Sequence, residues 1–248
     1  MRHSQSEPFD KSFDYRSVIG KLNYLERGSR SDISYAVHQC ARFCSDPKIE
    51  HGKAIRWLGQ YLRLTRDKGT ILRPEHNRDL EVYVDADFAG NFDKSDTQNR
   101  DTARSRHGYI IMYKGCPMSW KSQLQTEICL SSTESEYTGL SYALREVIPI
   151  MHLLQEIKQQ GFPIGNTMLK VMCKVFEDNS GTIEIVRTHK YRPRTKHLNV
   201  KLHHFRDYVS RGEILINQIS SNMQLADYLT KPVNIEILTH LRRMVMGW

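Results

Sequence analysis

Long apolar runs are missing from this 248-residue chain, whose mean hydropathy is -0.56; no stretch approaches the roughly 18 consecutive apolar residues of a membrane span. The first twenty residues, MRHSQSEPFDKSFDYRSVIG, are polar and mixed in charge, unlike a secretory signal. Both absences argue against membrane insertion and secretion and imply an intracellular protein, cytoplasmic or nuclear. Cysteine is scarce and odd in number, at Cys40, Cys44, Cys116, Cys129 and Cys173, and no C-x-x-C pair occurs. That excludes a zinc ribbon or a disulfide framework and suits a reducing compartment. His38, Cys40 and Cys44 lie close together, but no fourth ligand stands at a suitable spacing, so they read as packing residues. Repeats and low-complexity tracts are also absent.

What is present is enough apolar residue, 39% of positions, for one full-sized core or two smaller ones. Charge is distributed unevenly. Residues 1–78 carry 15 basic and 9 acidic side chains, residues 79–180 carry 10 and 14, and residues 181–248 carry 11 and 5. Basic flanks that could follow a polyanion therefore enclose an acidic centre that would repel it. The combination is sensible if metal ions neutralise the carboxylates.

Hydrophobic periodicity orders the elements. Val18, Leu22 and Leu25 mark a helix over Tyr15 to Arg27. Ser31 is placed to cap a second that carries Ile33, Ala36, Val37, Cys40 and Phe43 and closes at Asp46-Pro47. Ala54, Ile55, Leu58, Tyr61 and Leu62 mark a third. From Leu80 the period changes to two. LEVYVDADF, RHGYIIMYKG and PMSWKSQ read as strands, with Gly115-Cys116-Pro117 as the turn between the last two and the polar stretch 91–105 as a long loop. A long helix follows, capped by Ser132 or Thr133 with Glu136 completing a capping box, and Pro149 is expected to kink or break it. MLKVMCKVFEDN is a fourth strand, followed by a short helix through Ile183 and Val186. ILINQIS is a fifth strand; Asn222 is placed to cap a helix carrying MQLADYLTK, and a last helix covers Val233 to Met246. Strands that are first grouped and then alternate with helices imply an α/β fold with a mixed five-stranded sheet and flanking helices, preceded by a small helical subdomain. The period switch divides the chain into residues 1–78 and 79–248, and the second part is expected to fold by itself.

Four acids stand at positions that can converge on one sheet edge: Asp85 within the first strand, Glu136 in the first turns of the long helix, Asp178 at the end of the fourth strand, and Asp227 in the helix after the fifth. Hard oxygen donors in such a group suit two Mg²⁺ ions roughly 3.5–4 Å apart, a pair that can activate water and stabilise the leaving oxygen of a phosphodiester. Asp85 is the most telling, because a carboxylate in an apolar strand is costly unless paired or metal-bound. Glu134 and Glu136 point to nearly opposite sides of a helix, and Glu136 shares the face of Leu140, Ala143 and Val147. Asp85 and Asp87 share a strand face and are not separated by alternation.

YVDADFAG, SWKSQLQTEICLSSTESEY, EDNSGTIEI, RTKHLN and QLADYLTK occur in the order and at about the spacing of the ribonuclease H domain of copia-type retrotransposon polyproteins, which the chain resembles. YRSVIGKLNYL, SRSDISYAV and EHGKAIRWLGQYL resemble the segment that ends the reverse transcriptase of that family, its thumb and connection. The resemblance implies a ribonuclease H fold and cleavage of the RNA strand of RNA–DNA hybrids with two Mg²⁺ ions, Mn²⁺ being a possible substitute. It also implies Asp85, Glu136, Asp178 and Asp227 as metal ligands and the rest of a reverse transcriptase polyprotein as a partner. Ser135 and Asn179, beside the acids, are candidates for 2′-hydroxyl contacts. The stretch from Arg187 to Arg206 holds seven Lys or Arg, four His and no acid, so Arg192, Arg194, Lys196 and His197 are candidates for phosphate contacts.

The departures from the family are informative. No polymerase palm is present, Phe88 stands where the first motif usually has Trp, and NQISSNMQLA lacks the mobile His that many ribonucleases H carry before the last acid. His189, His197, His203 and His204 are the remaining proton-transfer candidates. A degenerate or domesticated fragment that only binds nucleic acid, or a scaffolding subunit, keeps the same fold and charge. An integrase-type recombinase would instead place its glutamate last in the series.

Overall fold

The computed structural model describes residues 7–94, 98–164, 170–188 and 204–248. Its first part is three helices, α1 (Tyr15–Gly28), α2 (Ser34–Ala41) and α3 (Ile49–Leu64). Their apolar stripes meet in a core of Ile19, Leu22, Ile33, Val37, Cys40, Ile55 and Leu58. Asp14 caps α1 by accepting from the Ser17 N–H at 3.1 Å. Ser31 does not cap α2; it opens a 3₁₀ turn, and its hydroxyl is hydrogen-bonded to the Tyr228 hydroxyl at 2.9 Å. Helix α3 starts five residues before its apolar stripe, where Gly52 lies against Phe9 so closely that a Cβ would sit 2.3 Å from the ring. Cys40 belongs to the apolar core, and burial pushes its thiol up to about 12, consistent with a packing role.

The sheet consists of β1 (Leu80–Asp87), β2 (Arg106–Tyr113), β3 (Cys116–Leu124), β4 (Cys173–Glu177) and β5 (Ile214–Gln218), in the order β3-β2-β1-β4-β5. The first three strands pair antiparallel, and β4 and β5 add in parallel. The hairpin between β2 and β3 turns on Lys114 and Gly115, with φ of 52° and 74°, one residue earlier than expected. Two consecutive left-handed residues match the right-handed twist of the strands, and Pro117 falls on an edge strand, where its missing N–H is tolerated. A one-turn helix, α4 (Arg100–Ala103), interrupts the loop expected over 91–105.

Helix α5 (Ser132–Gln159) runs through Pro149 without ending. The carbonyl that Pro149 leaves unbonded is that of Arg145, and both residues are exposed, where solvent is at hand to satisfy it. The cap is Ser131, which accepts from the Glu134 N–H at 3.1 Å while the Glu134 carboxylate accepts from the Leu130 N–H at 2.8 Å. Glu134, not Glu136, is therefore spent on capping. Beyond β4 come α6 (Ser180–Thr188) and a helical segment over 204–210 (α7). After β5 the expected helix is only a 3₁₀ turn, Ser221–Met223, and a single turn, α8 (Asp227–Thr230), in which Asn222 makes no cap. Gln224 anchors this irregular stretch by donating to the Val84 carbonyl at 2.8 Å. Helix α9 (Ile235–Met246) is capped by Asn234 and closed by Gly247 at φ 86°.

Strand β1 is buried on both faces rather than one, so the alternation is between two cores. Leu80, Val82 and Val84 face Leu140, Leu144 and Val147 of α5 together with Phe205 of α7. Tyr83 faces Tyr228, Leu229, Leu241 and Val245 of α8 and α9. The three-helix front docks on this second layer: Trp120 donates to the Glu26 carbonyl at 2.9 Å and Arg242 to the Tyr61 hydroxyl at 3.0 Å. Among the described residues, no helix is long and apolar enough to cross a membrane.

Candidate metal centre

Parallel pairing of β1 with β4 places the ends of both strands side by side, and α5 begins above them. This brings Asp85, Glu136 and Asp178 together, each offering a carboxylate oxygen within 4.8 Å of the others. Asp85 is 3% exposed and Glu136 6%, while Asp178 is half-buried. Glu136 thus lies on the buried face of α5, as the helical period predicts, while Glu134 turns to the cap. Asp87 lies at the strand end, more exposed than Asp85 and outside the group of three, which separates the two aspartates. Asp227 borders the group. Its Oδ1 lies 2.9 Å from Nζ of Lys231, which is also 3.7 Å from Oδ1 of Asp85.

Neighbouring hydroxyls hold two of the acids. Thr230 donates to Oδ2 of Asp85 in a short hydrogen bond, and Ser221 donates to Oδ2 of Asp178 at 2.9 Å. Oε2 of Glu136 is buried without a hydrogen-bond partner. An ionised oxygen in that state is costly, and a cation relieves the cost. The electrostatics agree. Burial, then the charges of Asp85, Glu177 and Asp178, hold the Glu136 carboxyl well above its ordinary range. Burial also raises Asp85, against the pull of Lys231 and Thr230, and pushes Asp227 up to about 7. Lys231 is drawn down by burial, but the charges of Asp85 and Asp227 leave it above its usual value. Hard carboxylate oxygens converging from a strand, a strand end and a helix, one of them unpartnered, fit a small divalent cation.

Two participants escape sequence reasoning. Glu177, fully buried beneath the cluster, is pushed up to about 8, chiefly by burial, and its Oε2 has no partner. The signal was the alternation Cys173, Val175, Glu177, which places all three on the core face of β4. Lys231 was visible only as the residue one turn after Asp227.

The expected nucleic-acid contacts fare differently. Ser135 is 0% exposed, and its carbonyl accepts from Gln125 at 2.9 Å, so it cannot reach a groove; its place on the inner face of α5 is the reason. Asn179 is half-buried and its side-chain oxygen accepts from the Thr182 N–H at 3.0 Å, capping α6. Arg192, Arg194, Lys196 and His197 lie outside the described residues, as do His189 and His203. His204 is the first described residue of α7, its ring edge-on to Phe205 at 4.9 Å.

No protein-family model matches the chain. It is 33% identical over 219 residues to the retrovirus-related Pol polyprotein from transposon TNT 1-94 of Nicotiana tabacum, covering 88% of this chain and 15% of that polyprotein. The chain thus spans about 15% of the length of that relative. It is 36% identical over 138 residues to secreted RxLR effector protein 161 of Plasmopara viticola, covering 56% of this chain and 92% of the effector. Among solved structures it is similar to LC11-RNase H1 in complex with RNA/DNA hybrid, with a TM-score of 0.40 and 16% identity, covering 61% of this chain and 94% of that one.

Proposed function

Because the chain belongs with the Pol polyproteins of copia-type retrotransposons and forms their ribonuclease H-like module, we propose that it is a metal-dependent endonuclease hydrolysing the RNA strand of RNA–DNA hybrids. The observation that carries this reading is the convergence of Asp85, Glu136 and Asp178 within 4.8 Å, with an unpartnered buried oxygen on Glu136. Asp85, Glu136, Asp178 and Asp227 would hold Mg²⁺, or Mn²⁺ in its place. Divalent ions bound there supply activation of water and stabilisation of negative charge on the departing oxygen.

The protein's own contribution is position. Thr230 and Ser221 fix the rotamers of Asp85 and Asp178, and the β1–β4 pairing sets the distance between their strands. The basic stretch, through Arg192, Arg194, Lys196 and His197, supplies phosphate contacts. Changing Arg194 and Lys196 to Ala should then weaken hybrid binding about equally for all sequences and lower the salt slope by about 0.7–0.9 for each phosphate no longer neutralised. Residues 1–78 are assigned to holding the hybrid and to contact with the rest of the polyprotein, since they contain none of the four acids.

A second reading, a domesticated module that binds nucleic acid without cutting it, is favoured by the similarity to a short effector protein of which 92% is covered. Cleavage of an end-labelled RNA–DNA hybrid, with Mg²⁺ and with chelator, separates the two. Metal-dependent cutting that Asp178→Asn removes supports the nuclease; tight binding without cutting supports the module.

A further inference from the structure

We propose that the ammonium group of Lys231 is an internal cation that occupies the Asp85–Asp227 half of the carboxylate cluster in the metal-free protein and must leave when a divalent ion takes that half. The inference rests on the metal-binding reading above for its second clause only. Asp85, Glu136 and Asp178 form one group within 4.8 Å. Asp227 stands outside it, and Lys231 Nζ lies 2.9 Å from Asp227 and 3.7 Å from Asp85. The ammonium therefore sits where a shared ligand of these two aspartates would sit.

The backbone explains why this lysine can do so. Lys231 is the C-cap residue of α8, four residues after Asp227, and its N–H bonds to the Asp227 carbonyl at 3.2 Å. Its Cα is thus held beside the aspartate, while its long stem gives the head group freedom. The side chain is 37% exposed, against 4% for Asp85, so the head group has a solvent route out of the cluster. A single positive charge can offset one of two buried carboxylates, whereas a divalent ion offsets both.

Two ions should consequently bind unequally. The half formed by Asp85, Glu136 and Asp178 holds no basic side chain within ion-pair distance other than Lys231, among the described residues. The half bounded by Asp227 must first give up an ion pair. Lys231 is on this account a positioning residue: it keeps the aspartates aligned before metal arrives and sets the order in which the ions enter.

Lys231→Met keeps the stem and removes the charge, and Lys231→Arg keeps a charge. Thermal unfolding in chelator and calorimetric titration with Mg²⁺, on the full chain, give the test. Lys231→Met should melt below wild type in chelator, Lys231→Arg should recover most of that loss, and saturating Mg²⁺ should close the gap. Wild type should take up Mg²⁺ in a tighter and a weaker step, and Lys231→Met should strengthen the weaker one by about tenfold, because a competing charge is gone. A Lys231→Met melting temperature equal to wild type in chelator would overturn the proposal. So would a weaker step that is unchanged or absent in that variant. If wild type binds no divalent ion at all, the metal reading of the cluster fails instead, and the comparison in chelator alone decides the role of the lysine.

Discussion

Two of the regions that bury charge treat it in opposite ways. In the helical front, Arg30 and Asp32 form a two-pronged pair at 2.9 and 2.8 Å, Thr65 accepts from the same guanidinium, and Tyr61 donates to Asp32 at 2.5 Å. Arg242 extends the chain to Tyr61 and lies over the Trp248 ring at 3.8 Å. Arg30 and Asp32 are thus matched charge for charge. At the edge of the sheet, Asp85, Glu136, Glu177, Asp178 and Asp227 crowd together, the ammonium group of Lys231 pairs with Asp227 and Asp85, and two carboxylate oxygens, on Glu136 and Glu177, lack any partner. A satisfied buried network holds the helical front to α9; an unsatisfied one stores repulsion that a ligand can relieve.

The contrast is sharpest for single substitutions. Asp85→Asn should reduce hybrid cleavage by on the order of a thousandfold, the loss expected when about 4 kcal/mol of transition-state stabilisation is removed, while the melting temperature in chelator stays the same or rises. A variant that melts lower and still cuts would move Asp85 from the chemistry to the scaffold. In the helical front the signs reverse. Asp32→Asn should cost roughly 3–5 kcal/mol of stability, since it leaves the Arg30 guanidinium buried without its carboxylate, with cleavage at saturating substrate unchanged in the folded fraction. Denaturant titration checks it.

A smaller effect separates the regions by pH. Asp85, Glu136, Glu177 and Asp227 all have raised pKa values, so the metal-free folded state binds more protons than the unfolded chain. The stability this confers is complete below the ordinary carboxylate range and is lost as pH rises through about 7 for Asp227 and about 8 for Glu177. Stability in chelator should fall by roughly 1–3 kcal/mol across that window, and Mg²⁺ affinity should rise across it, because binding releases those protons. Glu177→Gln should flatten the stability profile; an unchanged profile would remove Glu177 from the coupled group. The smallest effect belongs to Glu134→Gln, which weakens the cap of α5. About 0.5 kcal/mol of stability and no loss of cleavage are expected, and loss of cleavage would mean that the wrong glutamate has been placed in the site.

How much of this could be read beforehand depends on the range of the interaction concerned. Glu136 was separable from Glu134 because a helix repeats every 3.6 residues, and Leu140, Ala143 and Val147 already marked the inner face. Asp85 and Asp87 were inseparable, because a strand repeats every two and both lie on one face; only the distance to β4 and α5 divides them. Pro149 does not end α5, because the cost of a proline depends on whether the orphaned carbonyl can meet water, and Arg145 and Pro149 are both exposed. Ser135 differs from expectation for a related reason, since it adjoins Glu136 in sequence but its own side of the helix faces Gln125.

The sequence by itself determined the five strands, the long helix, the change of period at Leu80 and the inward face of Glu136, all set by local periodicity and by residue chemistry. Only the tertiary structure decided that β1 is buried on both faces, that the helical front is tied to α9 through Arg242 and Tyr61, and that Lys231 lies between Asp227 and Asp85. Pairings across 181 residues in the case of Arg242 and Tyr61, and across the 145 residues between Asp85 and Thr230, leave no periodic trace in the chain. They exist only once the packed layers bring distant segments into reach, and in a low-dielectric interior those contacts decide which charges are matched and which remain open to a cation.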